Sequence, residues 1–326
     1  MDQRLEIPED FPRTTLEFEE RFASEEACAG FLAKLRWPNG FVCPRCSGLG
    51  GWSLQARDLV ECPVCHYQAS VTAGTVFHGT RKPLRLWFRA MFLMATQKLG
   101  LSAKNFQALM GLRSYQTAWT WLHKLRRAMV RPNRPKLEGK VEVDDAFIGG
   151  VEEGSSGRGS SNPLVGVAVE VLPGPAGRRK RAPLGRVRME VLEDATEVST
   201  TTFTALNVDS DAQVVTDGLA SYDELREIGY RHKKVIIGDD RKRATKLLPG
   251  VHRVISLLKR WLLGTHQGSV SDKHLPWYLQ EYTFRFNRRR SSHPFKLFYR
   301  LLEQVVVTAP TSYRMLVDGS EALCAT

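Results

Sequence analysis

The sequence predicts an α/β protein of more than one domain, on three observations. Two Cys-x-x-Cys turns lie fifteen residues apart in the N-terminal part, the stretch 84–130 is helical in period throughout, and beyond a proline-containing break come strand-like apolar runs. Three of those runs follow one another directly, and later ones alternate with helices, which is the order of a mixed sheet. At 326 residues and 42% hydrophobic content the chain exceeds one typical domain and can bury at least one sizeable core.

Lys and Arg number 47 against 35 Asp and Glu, a formal charge of +12 that suits a polyanionic partner, nucleic acid first. No apolar run approaches the roughly 20 residues a membrane span needs. The start Met1-Asp2-Gln3-Arg4-Leu5-Glu6 lacks the basic-then-apolar form of a signal peptide. The expectation is a cytoplasmic protein without membrane contact.

Residues 1–40 place Leu16, Phe18, Phe22, Ala27, Phe31, Leu32 and Leu35 at near-helical spacing, an amphipathic packing helix with Ser24-Glu25-Glu26 as a capped start. In 41–82, Cys43-Pro44-Arg45-Cys46 and Cys62-Pro63-Val64-Cys65 bring four thiolates from two knuckles, enough to close a tetrahedron around Zn2+. Trp52, Leu59 and Val60 between them read as the short strands of a zinc ribbon. Such a closed site is structural, because no position remains for water. His66 and His78 lie nearby but are not needed as ligands, and Cys28 and Cys324 stand alone.

In 83–130, Leu86, Phe88, Met91, Phe92 and Ala95 form one apolar stripe. Ser102 is an N-cap for the next helix, and Gly111-Leu112-Arg113-Ser114-Tyr115 turns into a third. This is helix-turn-helix spacing. Ser114, Tyr115, Gln116 and Thr117 would then lie near base edges, with Lys124, Arg126 and Arg127 near phosphates. Trp119 and Trp121 cannot both face inward, being about 100 degrees per residue apart on a helix.

Residues 131–137, with two prolines and basic charge, read as a linker to a domain over 138–305, followed by a tail over 306–326. Its opening strand is expected within the run 141–150, with two more at 163–172 and 185–192, joined by a glycine- and serine-rich loop at 154–161 and a basic hairpin tip at 173–181. A short helix near 200–206, a strand over 212–217, a turn at Gly218 and Ser221-Tyr222, a fifth strand over 232–238 and helices over 251–263 and 275–288 complete it. Three hairpin-like strands followed by alternating helix and strand are the order of a ribonuclease-H-like sheet.

The first of these strands holds the most telling residues. Alternation sets Val141 and Val143 on one face and Glu142 and Asp144 on the other, with Asp145 back on the valine side. A carboxylate on a core strand must be paired, hydrogen-bonded or metal-bound, and no basic residue lies within Val141–Gly150.

Three motifs in this order, Val141 to Gly150, Val215-Thr216-Asp217-Gly218 onward and His252 to His266, follow the cysteine ribbon. Together the chain resembles the zinc-ribbon-bearing DDE-type transposases of bacterial insertion sequences, the ISXO-like group, as far as Arg290. The resemblance implies a DNA transposase that cleaves transposon ends, transfers strands into target DNA and assembles as a homo-oligomer on DNA. It implies Asp144 and Asp217 as catalytic carboxylates holding Mg2+ or Mn2+, which would neutralise charge on attacking and leaving oxygens. It puts His252 where the common pattern has Glu, a ligand that favours Mn2+ more than a carboxylate would. Lys259, seven residues on, shares its helix face and is placed to hold a phosphate.

Asp239, Asp240 and Glu281 are the rivals for the third ligand, with a solvated loop pair and a helix-surface ion pair with Arg285 as their ordinary roles. Basic residues crowd 226–300, and Arg260, Arg288 and Arg289 are the DNA-contact candidates there. Two other readings stay open. One is a structure-selective nuclease on the same fold, the other a transposase-derived DNA-binding regulator without catalysis.

Overall fold

The computed structural model describes residues 11–54, 59–131, 133–149, 161–174, 182–235, 247–268, 270–291, 293 and 295–319. The chain forms two compact units, Met1–Arg131 with Arg290–Ala325, and Pro132–Arg289. Asp239, Asp240, Cys324, the basic residues of 241–246, and nearly all of the 154–161 loop and the 173–181 hairpin tip lie outside the described residues.

The first unit begins with two helices where one was expected, α1 (Thr15–Arg21) and α2 (Glu25–Arg36). Ser24 divides them: its hydroxyl accepts from the Ala27 N–H at 3.1 Å and starts a new helix. Phe18 and Phe22 are buried while Leu16 is 70% exposed. The ribbon sheet is antiparallel, β1 (Trp52–Leu54), β2 (Leu59–Glu61) and β3 (Gln68–Ser70) in that order.

Three helices follow, α3 (Leu84–Thr96), α4 (Ala103–Leu109) and α5 (Tyr115–Ala128). Pro83 offers no side-chain cap to α3, and the Glu25 carboxylate does so instead, accepting from the Leu84 and Arg85 N–H groups at 2.7 and 3.0 Å. Trp87, not the half-buried Leu86, joins the buried stripe and stacks on Trp121 at 3.9 Å. Trp119 lies over His123 at 4.2 Å, so the two tryptophans do part as helix geometry requires.

This unit also takes the last helices, α9 (Phe295–Val305) and α10 (Tyr313–Asp318), which moves the expected domain end from 305 to 289. The reason is aromatic packing: Phe298 sits against Phe18, Phe22, Phe88 and Phe92.

The second unit is a five-stranded sheet of order β6-β5-β4-β7-β8. Its members are β4 (Lys140–Phe147), β5 (Leu164–Val171), β6 (Leu184–Leu192), β7 (Gln213–Asp217) and β8 (Arg231–Val235). The first three form an antiparallel meander, and β7 and β8 add in parallel, as crossovers through a helix or turn demand. This is the ribonuclease-H-like arrangement.

Helices α7 (Pro249–His266) and α8 (Leu275–Asn287) cover one face with Val251, Val254, Leu258 and Leu279. The other face packs Val141, Val143 and Val214 against Phe203 of α6 (Glu197–Asn207) and against Tyr222 in a 3-10 turn, Ala220–Leu225. Most of the expected linker is built into this unit: Leu137 bridges to Val208, and Arg188 donates to the Pro135 carbonyl at 2.7 Å.

Candidate active site and zinc ribbon

The ribbon's two knuckles are near copies. Ser47 donates to the Cys43 carbonyl and His66 to the Cys62 carbonyl, at 2.9 and 3.0 Å, and both donors are left-handed at φ 59° and 54°. That backbone points an N–H at each leading sulfur, from Arg45 to Cys43 and from Val64 to Cys62, both at 3.4 Å. Burial opposes ionisation of Cys43, but the Cys46 and Arg45 N–H groups outweigh it and bring the thiol down to about 7.

All four Sγ atoms lie within 4.8 Å of one another, a four-cysteine set that fits structural zinc. The two histidines stand aside as expected. His66 Nδ1 meets Glu61 at 3.3 Å, and His78 Nδ1 accepts from the Gly74 N–H.

The second site gathers on the α7 face of the large sheet. Asp144 is 8% exposed and projects from β4 opposite the valines. Its Oδ1 accepts from the Asp145 N–H at 2.9 Å, and its Oδ2 lies 3.8 Å from Nδ1 of His252, at the start of α7. Burial, reinforced by the negative charges of Asp145 and Asp217, pushes the Asp144 carboxyl up to about 8.

Asp217 ends β7, where its Oδ1 accepts from the Leu219 N–H at 3.1 Å. Behind it, the Thr216 hydroxyl donates to the Asp217 carbonyl and meets Nε2 of His232 at 2.8 Å. Burial lowers the His252 imidazole, which is therefore neutral near pH 7. Its Nε2 is buried without a hydrogen-bond partner. A surplus of negative charge beside an unsatisfied nitrogen is a donor set that suits a divalent cation. Among the described residues the cysteines alone draw together as a ligand group of three or more; Asp144 faces His252, and Asp217 reaches Asp144 through its charge.

Asp145 points to the opposite face, where the buried Tyr222 hydroxyl donates to its Oδ1 at 3.1 Å. Glu142 shares the Asp144 face, but its carboxylate accepts from the Gly250 and Val251 N–H groups at 2.7 and 3.0 Å. Pattern reading missed this capping contact, and its one signal was a helix opening on Pro249-Gly250 with no capping side chain of its own. Lys259 and Arg260 are exposed on α7, Lys259 two turns from His252.

Two expected DNA contacts need correction, Arg126 and Arg127. Arg126 and Arg127 are buried, because the last two turns of α5 are enclosed on nearly every side; Lys124 is half-buried. Ser114, Tyr115 and Gln116 at the head of that helix are exposed. Arg289 donates to the carbonyls of Leu184 and Gly185, covering the outer edge of β6 beside Asn287, which pairs with both backbone groups of Val187. Arg288 folds back over the Phe284 ring at 4.0 Å. Glu281 is fully buried against Arg285 at 3.0 Å, rather than in a helix-surface pair.

A ribonuclease-H-like sheet with acids on its first and fourth strands has the arrangement of a DDE domain. Residues 136–287 match the ISXO2-like transposase domain, and residues 23–68 match the transposase zinc-ribbon domain. The chain is also similar to an uncharacterized protein in transposable element ISH50 of Halobacterium salinarum. The two are 28% identical over 279 residues, 81% of this chain and 91% of that protein. The likeness is thus carried by two separate stretches, an ISXO2-like DDE transposase domain over 136–287 and a transposase zinc ribbon over 23–68. No helix among the described residues is long and apolar enough to cross a membrane.

Proposed function

We propose that the protein is a metal-dependent DNA transposase that cuts the ends of its element and joins the freed 3' hydroxyl to target DNA, working as a homo-oligomer on DNA. The observation that carries this reading is the meeting of Asp144 and His252, brought together from a strand and a distant helix on a buried face beside Asp217. Asp144, Asp217 and His252 would hold Mg2+ or Mn2+, which supplies charge neutralisation at the scissile phosphate when bound.

The chain's own groups do the rest. The two carboxylates present hard oxygen donors, and neutral His252 presents a lone pair without adding charge. Lys259, exposed two turns along α7, offers an ammonium to a DNA phosphate, and Arg260 a second cation. Ser114 and Gln116 at the exposed head of α5 are the base-edge candidates.

The test uses DNA carrying the element's own ends. Asp144→Ala should abolish Mn2+-dependent nicking while end binding in a gel shift persists. Nicking that survives the substitution sinks the assignment. Nicking of branched DNA by the parent with no preference for ends would favour a structure-selective nuclease instead.

A further inference from the structure

We infer that Glu142 is a positioning residue for the proposed metal site, setting His252 against Asp144 by capping the first turn of α7. The inference rests on the reading of Asp144, Asp217 and His252 as that site.

The opening of α7 lacks a cap of its own. Leu248 at the N-cap has no acceptor, and Pro249 has no N–H to satisfy, so the first free donors are those of Gly250 and Val251. Both go to one oxygen of Glu142, at 2.7 and 3.0 Å, in a spot where Glu142 is 1% exposed. A carboxylate at a helix N-terminus also meets the positive end of the helix dipole. Gly250 is part of the device: a Cβ there would stand 2.8 Å from Glu142 Oε2 and 3.0 Å from Leu184 Cδ2, so a side chain would make the carboxylate shift from its present position.

Geometry then links the cap to the site. Glu142 and Asp144 are two residues apart on β4, about 7 Å along the strand and on one face. Their partners on α7 are consecutive: Glu142 holds Gly250 and Val251, and Asp144 faces His252. Val251, Val254 and Leu258 seat the helix on the sheet by non-directional apolar packing, which sets its register less sharply than polar contacts do. Two contacts, from the same strand to the same helical turn, set the distance from His252 Nδ1 to Asp144 through rigid elements. The carboxylate is consumed by the helix, which accounts for an acid that shares the face of Asp144 without being needed as a ligand.

The experiment is Mn2+ titration into the full-length protein, followed by calorimetry, for the parent, Glu142→Ala, Glu142→Gln, His252→Ala and the Glu142→Ala/His252→Ala double variant. Zinc content is measured on each to confirm an intact ribbon. Glu142→Ala should weaken Mn2+ binding by about 10- to 100-fold, the range for lost support of a ligand. Glu142→Gln, whose carbonyl oxygen still accepts from the helix, should recover most of that loss and serves as the probe should the alanine variant not fold.

The decisive readout is coupling. With His252 already removed, Glu142→Ala should cost nothing further, whereas a merely structural role would add its full penalty in the double variant. Additive losses, or parent-like affinity in Glu142→Ala, overturn the inference and leave the metal-site reading standing. A parent protein that shows no Mn2+ binding overturns both.

Discussion

The chain holds two clusters built to opposite plans. The ribbon's ligands come from two short turns with the same backbone, and four sulfurs already lie within 4.8 Å of one another. The proposed acidic site draws on β4, β7 and α7, and Asp144 is pushed up to about 8 by burial and by its acidic neighbours. A closed site assembled from local turns specifies one structure and leaves nothing for substrate. On the proposed reading, an open site assembled from distant elements leaves coordination positions for substrate, and the fold must tolerate the repulsion between its acids when no cation is bound. The contrast predicts that metal is the ribbon's scaffold, whereas the sheet stands without it.

The largest effect should come from testing that difference directly. The ribbon core is small, with Phe41, Cys43, Cys62 and Ala69 buried and Trp37, Val60 and Tyr67 packed against it. Structural zinc is worth about 10–16 kcal/mol in domains of this kind, more than such a core supplies. Chelation or Cys62→Ser should therefore unfold the ribbon. In hydrogen exchange, amides of 59–70 should lose protection while those of β5, buried along nearly its whole length, keep theirs. Retained protection at 59–70 in zinc-free protein would break the comparison.

Asp144→Asn tests the other side and should act in two directions. The folded carboxyl titrates at about 8 against an ordinary 3.8, so the stability its neutral form contributes is complete below the ordinary value and is lost as pH rises from there through the folded one. Asparagine stays neutral throughout. In zinc-loaded protein without Mn2+ or Mg2+ the parent and variant should unfold alike at about pH 4. By about pH 9 the variant should be the more stable by roughly 1–3 kcal/mol, a fraction of what the whole gap between folded and unfolded carboxyl would convert to. Its Mn2+-dependent cleavage should fall at least about 100-fold, the upper end for loss of a mere supporting residue. Equal stability of parent and variant in that alkaline range would mean that Asp144 is not under the strain the open plan implies.

How far each plan could be read in advance follows from the same contrast. Cysteine spacing is local, so the ribbon was legible outright. Alternation along β4 is local as well, and it correctly parted Glu142 and Asp144 from Asp145. What alternation cannot give is the partner. Glu142 meets Gly250 across 108 residues, and only chain folding supplies that contact.

Charge misled for a related reason. Arg126 and Arg127 read as surface cations because arginine is rarely buried, yet the helix end they occupy is enclosed. Arg289 stays exposed, as a DNA-contact candidate must, while its guanidinium also covers carbonyls at the edge strand, a role charge counting does not announce. The aromatics of α9 carried no address: a run of Phe and Leu announces burial without saying in which unit.

The smallest effect asks whether the two faces of β4 act independently. Tyr222 is buried in the 3-10 turn and donates to Asp145, the neighbour of Asp144 on the far side of the sheet. Tyr222→Phe keeps the ring and removes one donor, so unfolding should become easier by about 1–2 kcal/mol, near the lower end for a bond to a charged acceptor. Mn2+ affinity should stay within about twofold of the parent, since neither Asp144 nor α7 loses a contact. Thermal unfolding and Mn2+ titration on the same preparation check both halves. A tenfold loss of affinity would mean that charge on Asp145 reaches through the strand to the site. The open plan would then rest on both faces of β4, a dependence the ribbon, closed on its own four sulfurs, does not have.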